Sequence, residues 1–168
     1  MILYHGTQSK FRFPKLALAL RHKDFGCGFY LTPDRTMALN WSWKRNKLSH
    51  DVRANVYDLP DDWLEIAIRQ GLNVKVFEKA DHEWASFVYK NREEEDFEHG
   101  YDLVVGPVTD NDIPSYFALI RRGEATFDAI ADCLEYRKFK SMQYCICTEK
   151  ALKLLTYRNC IQQKYKTK

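Results

Sequence analysis

Three short stretches, spread over nearly the whole chain, hold residues whose types suit chemistry. They are Tyr4-His5-Gly6-Thr7, Gly26-Cys27-Gly28-Phe29-Tyr30-Leu31-Thr32 and Met142-Gln143-Tyr144-Cys145-Ile146-Cys147-Thr148. Each sets a polar or aromatic side chain beside an apolar or glycine-rich run. Gly6 has no side chain, so backbone N–H and C=O groups there can come close to a ligand. Tyr30 offers a flat face on which a ring can stack. Gln143 can hydrogen-bond a hydroxyl, but it carries no charge and cannot act as a base. Read alone, His5 before a turn is an ordinary structural histidine and Tyr30 an ordinary core aromatic. The paired glycines Gly26 and Gly28 lack the third glycine and the strand-to-helix context of a dinucleotide fingerprint. Only the ordered set points to a site.

Elements that would position these residues follow from periodicity. Ile2 to His5 reads as an opening strand ending at Gly6, and Phe29 to Leu31 as a second strand. Thr32-Pro33-Asp34 then predicts a helix start, with threonine as the cap, and Met37, Ala38 and Trp41 share one face of that helix. Asn55 to Leu59 and Asn73 to Phe77 alternate as strands, and Trp63, Ile66 and Ala67 between them give a short helix closed by Gly71. Asp81 to Arg92 reads as a helix with Trp84, Phe87 and Val88 inward, and Glu93 to Asp96 as a solvated loop. Tyr101 to Val105 is a central strand ended by Gly106-Pro107. Phe127, Ile130, Ala131 and Leu134 form a helical stripe, and Met142 to Cys147 is a further strand. Thr148 caps a final helix holding Ala151, Leu152 and Leu155, before a basic tail from Lys164. The segment from Lys10 to Lys23, with Arg12, Lys15, Arg21 and His22, is a basic stretch of loop and short helix.

At 168 residues, 45% hydrophobic and 14% aromatic, the chain is expected to form one folded domain over residues 1–168. Its class is expected to be α+β. A formal charge of +3 permits contact with nucleic acid without arguing for it. The five cysteines are odd in number and none has zinc-finger spacing, so no metal site is expected. Cys145 and Cys147 would share one strand face, and all five read as buried, reduced thiols. No signal segment and no long apolar run stands out, which points to a cytoplasmic protein without a membrane partner.

The three stretches together resemble the motifs of the ADP-ribosyltransferase superfamily, and within it a bacterial family of unassigned function (DUF3990-like). Asp24-Phe25-Gly26-Cys27-Gly28-Phe29-Tyr30 is similar to that family's aspartate–phenylalanine–glycine–lysine–glycine–phenylalanine–tyrosine stretch, with Cys27 in place of the usual basic residue. Phe87-Val88, Asn91-Arg92, Tyr101 to Val108 and Asp110 resemble its middle segment, and Thr148 to Leu152 its end. The resemblance implies a split β-sandwich with flanking helices around a cleft for NAD, the co-substrate. It gives Gly6 the nicotinamide carboxamide, His5 a ribose hydroxyl, Thr7 support of the turn and Tyr30 the nicotinamide ring. Gly28 lies in the same NAD-binding motif. Arg92 could meet the pyrophosphate or instead pair with nearby glutamates. Trp41 and Trp43 could flank the cleft, or Trp41 could pack in the core, and Asp110 and Asp112 could hold an acceptor or form a turn.

Gln143 stands where well-known transferases carry a glutamate that meets the nicotinamide ribose. His5, Tyr30 and Gln143 are thus the expected catalytic set. Glu149, the nearest carboxylate, falls in the first turn of a helix, where a dipole role suits it better. Because glutamine disfavours chain elongation, the expected activity is mono-ADP-ribosyl transfer to a protein or nucleic-acid acceptor. By resemblance the protein would be the toxin of a toxin–antitoxin pair, with an antitoxin protein as partner. The alternatives are a catalytically inactive NAD or ADP-ribose binding module, and an NAD glycohydrolase.

Overall fold

The computed structural model describes residues 1–16, 19, 22–47, 50–108, 112–135 and 141–164. Arg21, Asp110, the side chain of Leu134 and the end of the basic tail lie outside the described residues. The architecture is mixed α+β, with two sheets and six helices among the described residues. The first sheet has the order β1 (Ile2–Thr7), β3 (Asp51–Asp58), β7 (Thr156–Lys164), antiparallel throughout. The second has the order β2 (Phe29–Leu31), β6 (Met142–Ile146), β5 (Leu103–Pro107), β4 (Val74–Val76). Only its β4–β5 pair is parallel.

Strand alternation sorts the side chains into layers. Leu3 of β1 and Tyr57 of β3 meet Phe29, Leu31, Leu103, Val105, Tyr144 and Ile146 of the second sheet in one buried cluster. The opposite face of the first sheet, carrying Tyr4, Val52 and Ala54, packs on α1 (Arg35–Arg45) through Ala38 and Leu39. The opposite face of the second sheet, carrying Val104 and Cys145, lies under α3 (His82–Glu93), α4 (Ile113–Arg121) and α5 (Phe127–Glu135). There Trp84, Val88, Ile113, Phe117 and Ile130 are buried. α2 (Trp63–Arg69) closes the end of the inter-sheet core with Ala67 and ends before Gly71, whose φ is +66°. α6 (Glu149–Leu152) is capped by Thr148, whose hydroxyl accepts from Ala151 N.

The structure departs from the sequence reading at several places. Asp34, not Thr32, caps α1: its carboxylate accepts from Met37 N, while Thr32 bridges back to Tyr4. The inward face of α1 is Ala38, Leu39 and Ser42, so Met37 and Trp41 stand beside it rather than in it. β1 runs on through Gly6 and Thr7, β3 begins at Asp51, and β5 includes Gly106 and Pro107. α4 and β7 have no counterpart in the reading, and the last helix stops at Leu152 because Thr156 onward joins β3 as an edge strand. Two thiols, Cys27 and Cys133, are exposed rather than buried, whereas Cys145 and Cys147 do share a face, with sulfurs 3.6 Å apart. Among the described residues no helix is long and apolar enough to cross a membrane, and no cluster of metal-ligating side chains forms.

Candidate functional site

Among the described residues the backbones of the two sheets join at one bridge. Tyr4 of β1 and Thr32 just beyond β2 exchange backbone hydrogen bonds of 2.8 and 3.0 Å. Continued, that ladder would set Gly6 opposite Tyr30, but among the described residues the strands share only that one bridge. They part instead, and a cavity of about 460 Å³ opens in the split. His5, Gly6, Tyr30, Gln143 and Arg92 all line it, although up to 138 positions separate them in the chain.

His5 links the two strands across the split. Its Nδ1 lies 2.7 Å from the Tyr30 carbonyl oxygen, which can only accept, so Nδ1 carries the proton. Nε2 is therefore the lone-pair nitrogen, able to accept from a hydroxyl. The ring is wedged between Phe29, 4.3 Å away between centroids, and Phe11, at 5.6 Å. That burial strips solvent from the imidazole and, with the Arg45 charge adding, pushes its pKa down to about 4 against the opposing pull of the Tyr30 carbonyl. His5 is a neutral acceptor at any physiological pH.

That shift has a consequence for stability. Between pH 6.5 and about 4 the unfolded chain binds a proton at this histidine that the folded chain refuses. The contribution of neutral His5 is thus complete above pH 6.5 and fades as pH falls toward 4. We expect wild type to lose about 2 kcal/mol more than His5→Gln between pH 7 and pH 5. Urea unfolding of both proteins at the two pH values measures this, and equal losses would refute the buried neutral ring.

Gly6 lacks a side chain for a reason internal to the fold. A Cβ there would sit 1.9 Å from the Ala38 carbonyl oxygen of α1. Its backbone has a separate role. In the regular β1–β3 ladder, Gly6 N–H and C=O turn the same way as those of Tyr4, toward the edge that faces β2. A pair of backbone groups, one donor and one acceptor, therefore borders the cavity.

Tyr30 is fixed by its hydroxyl, which accepts from Phe25 N at 3.0 Å and donates to the Gly26 carbonyl at 2.7 Å. Burial raises the phenol's pKa well above its ordinary value, so it remains a donor. Gln143 on β6 is 3% exposed. Its Nε2 donates to Asp24 Oδ2 at 2.8 Å and to the Pro107 carbonyl at 3.2 Å. Both neighbours are acceptors, so the orientation of the amide is settled and both its protons are used. Toward the cavity Gln143 can present only its oxygen.

Arg92 pairs with Asp24, its Nε donating to Oδ1 at 2.8 Å and its terminal nitrogen to the same oxygen. Three further cations join the wall: Lys23, and Lys44 and Arg45 from the last turn of α1, where the helix end favours positive charge. Trp41 also lines this cavity, whereas Trp43 packs on the α1 core with Lys47 over its ring. Thr7 and Gly28 belong to an adjoining, more apolar cavity of about 580 Å³ that shares His5, Lys23, Tyr30 and Arg45 with the first. Thr7 also supports the turn, accepting from Ser9 N at 3.1 Å. Gly28 is required by its neighbours, since a Cβ would meet Cys145 Sγ at 2.4 Å. Glu149 sits in the first turn of α6 and is not part of either wall, and Asp112 stands at the N-terminal boundary of α4, with no side-chain cap hydrogen bond.

Sequence reading missed Asp24, Lys44 and Arg45 as site residues. Asp24 was visible only as a letter in a motif, and its contact with Gln143 spans 119 positions. Lys44 and Arg45 had a signal in being adjacent basic residues at a helix end, but nothing in the sequence aims them.

No curated protein and no solved structure matches the chain significantly. A protein-family model does: the one described as "Protein of unknown function (DUF3990)" matches residues 1–157, which is nearly the whole chain. The chain belongs to the DUF3990 family.

Proposed function

We propose that this protein is a mono-ADP-ribosyltransferase that uses NAD as co-substrate, its two sheets splitting around the dinucleotide as in the superfamily it resembles. The observation that carries the reading is the split between β1 and β2. One cavity there combines a backbone donor–acceptor edge at Gly6, the ring of Tyr30, two neutral acceptors and a cationic wall. A carboxamide is itself one donor and one acceptor and fits the Gly6 edge. Hydroxyls of a ribose can donate to His5 Nε2 and to Gln143 Oε1. The cations Lys23, Lys44, Arg45 and Arg92 suit a pyrophosphate.

The reaction in this reading breaks the bond between ribose C1′ and the nicotinamide nitrogen. Nicotinamide leaves with the bonding pair as a neutral base, and positive charge grows on the sugar. The acceptor's nucleophilic atom then bonds to C1′ and gives up its proton to solvent. The chain's own residues orient the ring and the ribose, and Gln143 Oε1 places a negative dipole end near the developing cation. Neither His5, which is buried and hydrogen-bonded, nor Gln143 is suited to take the acceptor's proton. That neutrality favours the second reading, a module that binds NAD or ADP-ribose without transfer, over an efficient hydrolase.

NAD labelled in its adenylate, incubated with the protein and a bacterial lysate, separates the readings. Transfer predicts label on macromolecules and an equal release of nicotinamide. Nicotinamide with free ADP-ribose would mean hydrolysis, and calorimetric binding without release would mean a binding module. No heat and no release would overturn the assignment.

A further inference from the structure

The glutamine at the third motif position has a carboxylate beside it. Asp24 is only 7% exposed, borders the same cavity and reaches Gln143 Nε2 with Oδ2 at 2.8 Å. Its other oxygen is gripped by Arg92. We propose that Asp24 is a positioning residue for the reaction, and that Asp24 and Gln143 form one carboxylate–amide unit which does the work of a lone glutamate. The proposal rests on the NAD-transfer reading above.

The physical argument concerns orientation first. The terminal torsion of a glutamine is broad, so an amide on a cavity wall can present either its oxygen or its nitrogen. A desolvated carboxylate removes that choice, because a charge-assisted hydrogen bond is about twice as strong as a neutral one. Asp24 therefore holds Nε2 and turns Oε1 to the cavity, with the Pro107 carbonyl as the second acceptor. Arg92 in turn fixes Asp24, so the wall is braced from α3.

The same contact accounts for the residue type at position 143. A glutamate there would bring a second carboxylate to the spacing now spanned by an N–H donor, 2.8 Å from Asp24. Two carboxylates that close repel, and one of them takes up a proton at a higher pH than a lone carboxylate would. Glutamine at 143 is thus the partner that Asp24 demands. The negative charge beside the third motif is that of Asp24, 119 positions earlier in the chain.

The test is an exchange of the two groups, read as nicotinamide release from NAD, with NAD binding measured by calorimetry for each protein. Asp24→Asn can accept from Arg92 or from Gln143 but cannot serve both, and should lower kcat about 10- to 100-fold with KM changed less than about threefold. Gln143→Glu should lose a similar factor at pH 8 and regain turnover as pH falls, because one of its paired carboxylates then protonates. The double variant Asp24→Asn/Gln143→Glu restores a donor facing an acceptor. It should recover to within about tenfold of wild type and lose the acid-side gain, the remaining deficit reflecting the lost bond to Pro107. Thermal melts of all four proteins report folding. If Asp24→Asn fails to fold, the pH profile of Gln143→Glu still decides. Losses that simply multiply in the double variant, or a Gln143→Glu profile parallel to wild type, would overturn the proposal. Absence of nicotinamide release from wild type would remove the reaction and this role together. Release indifferent to the exchange would remove only the role of Asp24.

Discussion

Gly6→Ala is expected to cost at least about 3 kcal/mol of stability, the largest loss of any single-methyl addition considered. The added Cβ would meet three backbone atoms of α1: Ala38 O at 1.9 Å, Ala38 C at 2.9 Å and Ser42 N at 3.1 Å. None is the tip of a flexible side chain, so the strand or the helix must move. α1 cannot retreat cheaply, because Ser42 Oγ donates to the Thr7 carbonyl at 2.6 Å and accepts from Arg53 N at 3.0 Å. For a chain of this length each 1 kcal/mol lowers Tm by about 2–4 °C, so a fall of about 6–12 °C is expected by calorimetry. Gly71→Ala is the matching control. It sits at φ +66° with nothing within 4 Å of its Cβ, and should lose only the about 1–2 kcal/mol of left-handed backbone strain. If Gly6→Ala were as mild as Gly71→Ala, the close approach of α1 and β1 would be wrong.

That comparison also marks how far the sequence could be read at this position. The motif marks Gly6 as a place for backbone to approach a ligand. The approach that forbids a side chain is that of α1, and it is invisible without knowing that Ala38 packs across β1. The backbone argument survives on a different ground, the alternation of the ladder.

Elements with a strong apolar period were legible: Phe29 to Leu31, the stripe of Trp84 and Val88, and Leu103 to Val105. β7 was not, because it is a mostly exposed edge strand, and Thr156 to Lys164 show little two-residue pattern to read. Its conformation comes from pairing with β3, a tertiary effect that local propensity does not carry. α4 is a different case. Ile113, Phe117 and Ile120 recur at helical spacing with Pro114 near the start, so a helical signal exists just beyond Asp112, and the sequence reading draws no element from it. At the site, His5, Gly6, Tyr30, Gln143 and Arg92 are named as site residues from the sequence, whereas Asp24, Lys44 and Arg45 are not. Asp24 gains its meaning only when β6 brings Gln143 against it, and Arg45 only when the end of α1 reaches the split.

Gln143→Ala is expected to reduce nicotinamide release about 100-fold or more while changing NAD affinity less than about threefold, as when a preorganised polar partner of a developing charge is removed. The amide makes two bonds within the protein and offers one oxygen to the cavity. In the proposed reaction only that oxygen would respond to charge on the sugar, and its attraction would grow as the bond to nicotinamide stretches. Ground-state binding in that reaction would rest elsewhere, on the ring of Tyr30, the Gly6 edge and the cations that line the cavity. The substitution also strips Asp24 Oδ2 of a donor, which should cost about 1–3 kcal/mol of stability. Single-turnover rates taken well below the melting point keep that loss separate from catalysis. Gln143→Asn supplies a second check: it keeps an amide but withdraws it by one methylene, and should be nearly as slow as alanine if position is what matters. A Gln143→Ala protein as fast as wild type would show that charge on the ribose is balanced by other groups. NAD affinity that collapsed along with the rate would instead place Gln143 in ground-state binding, since a transition-state partner can be lost without loosening the substrate.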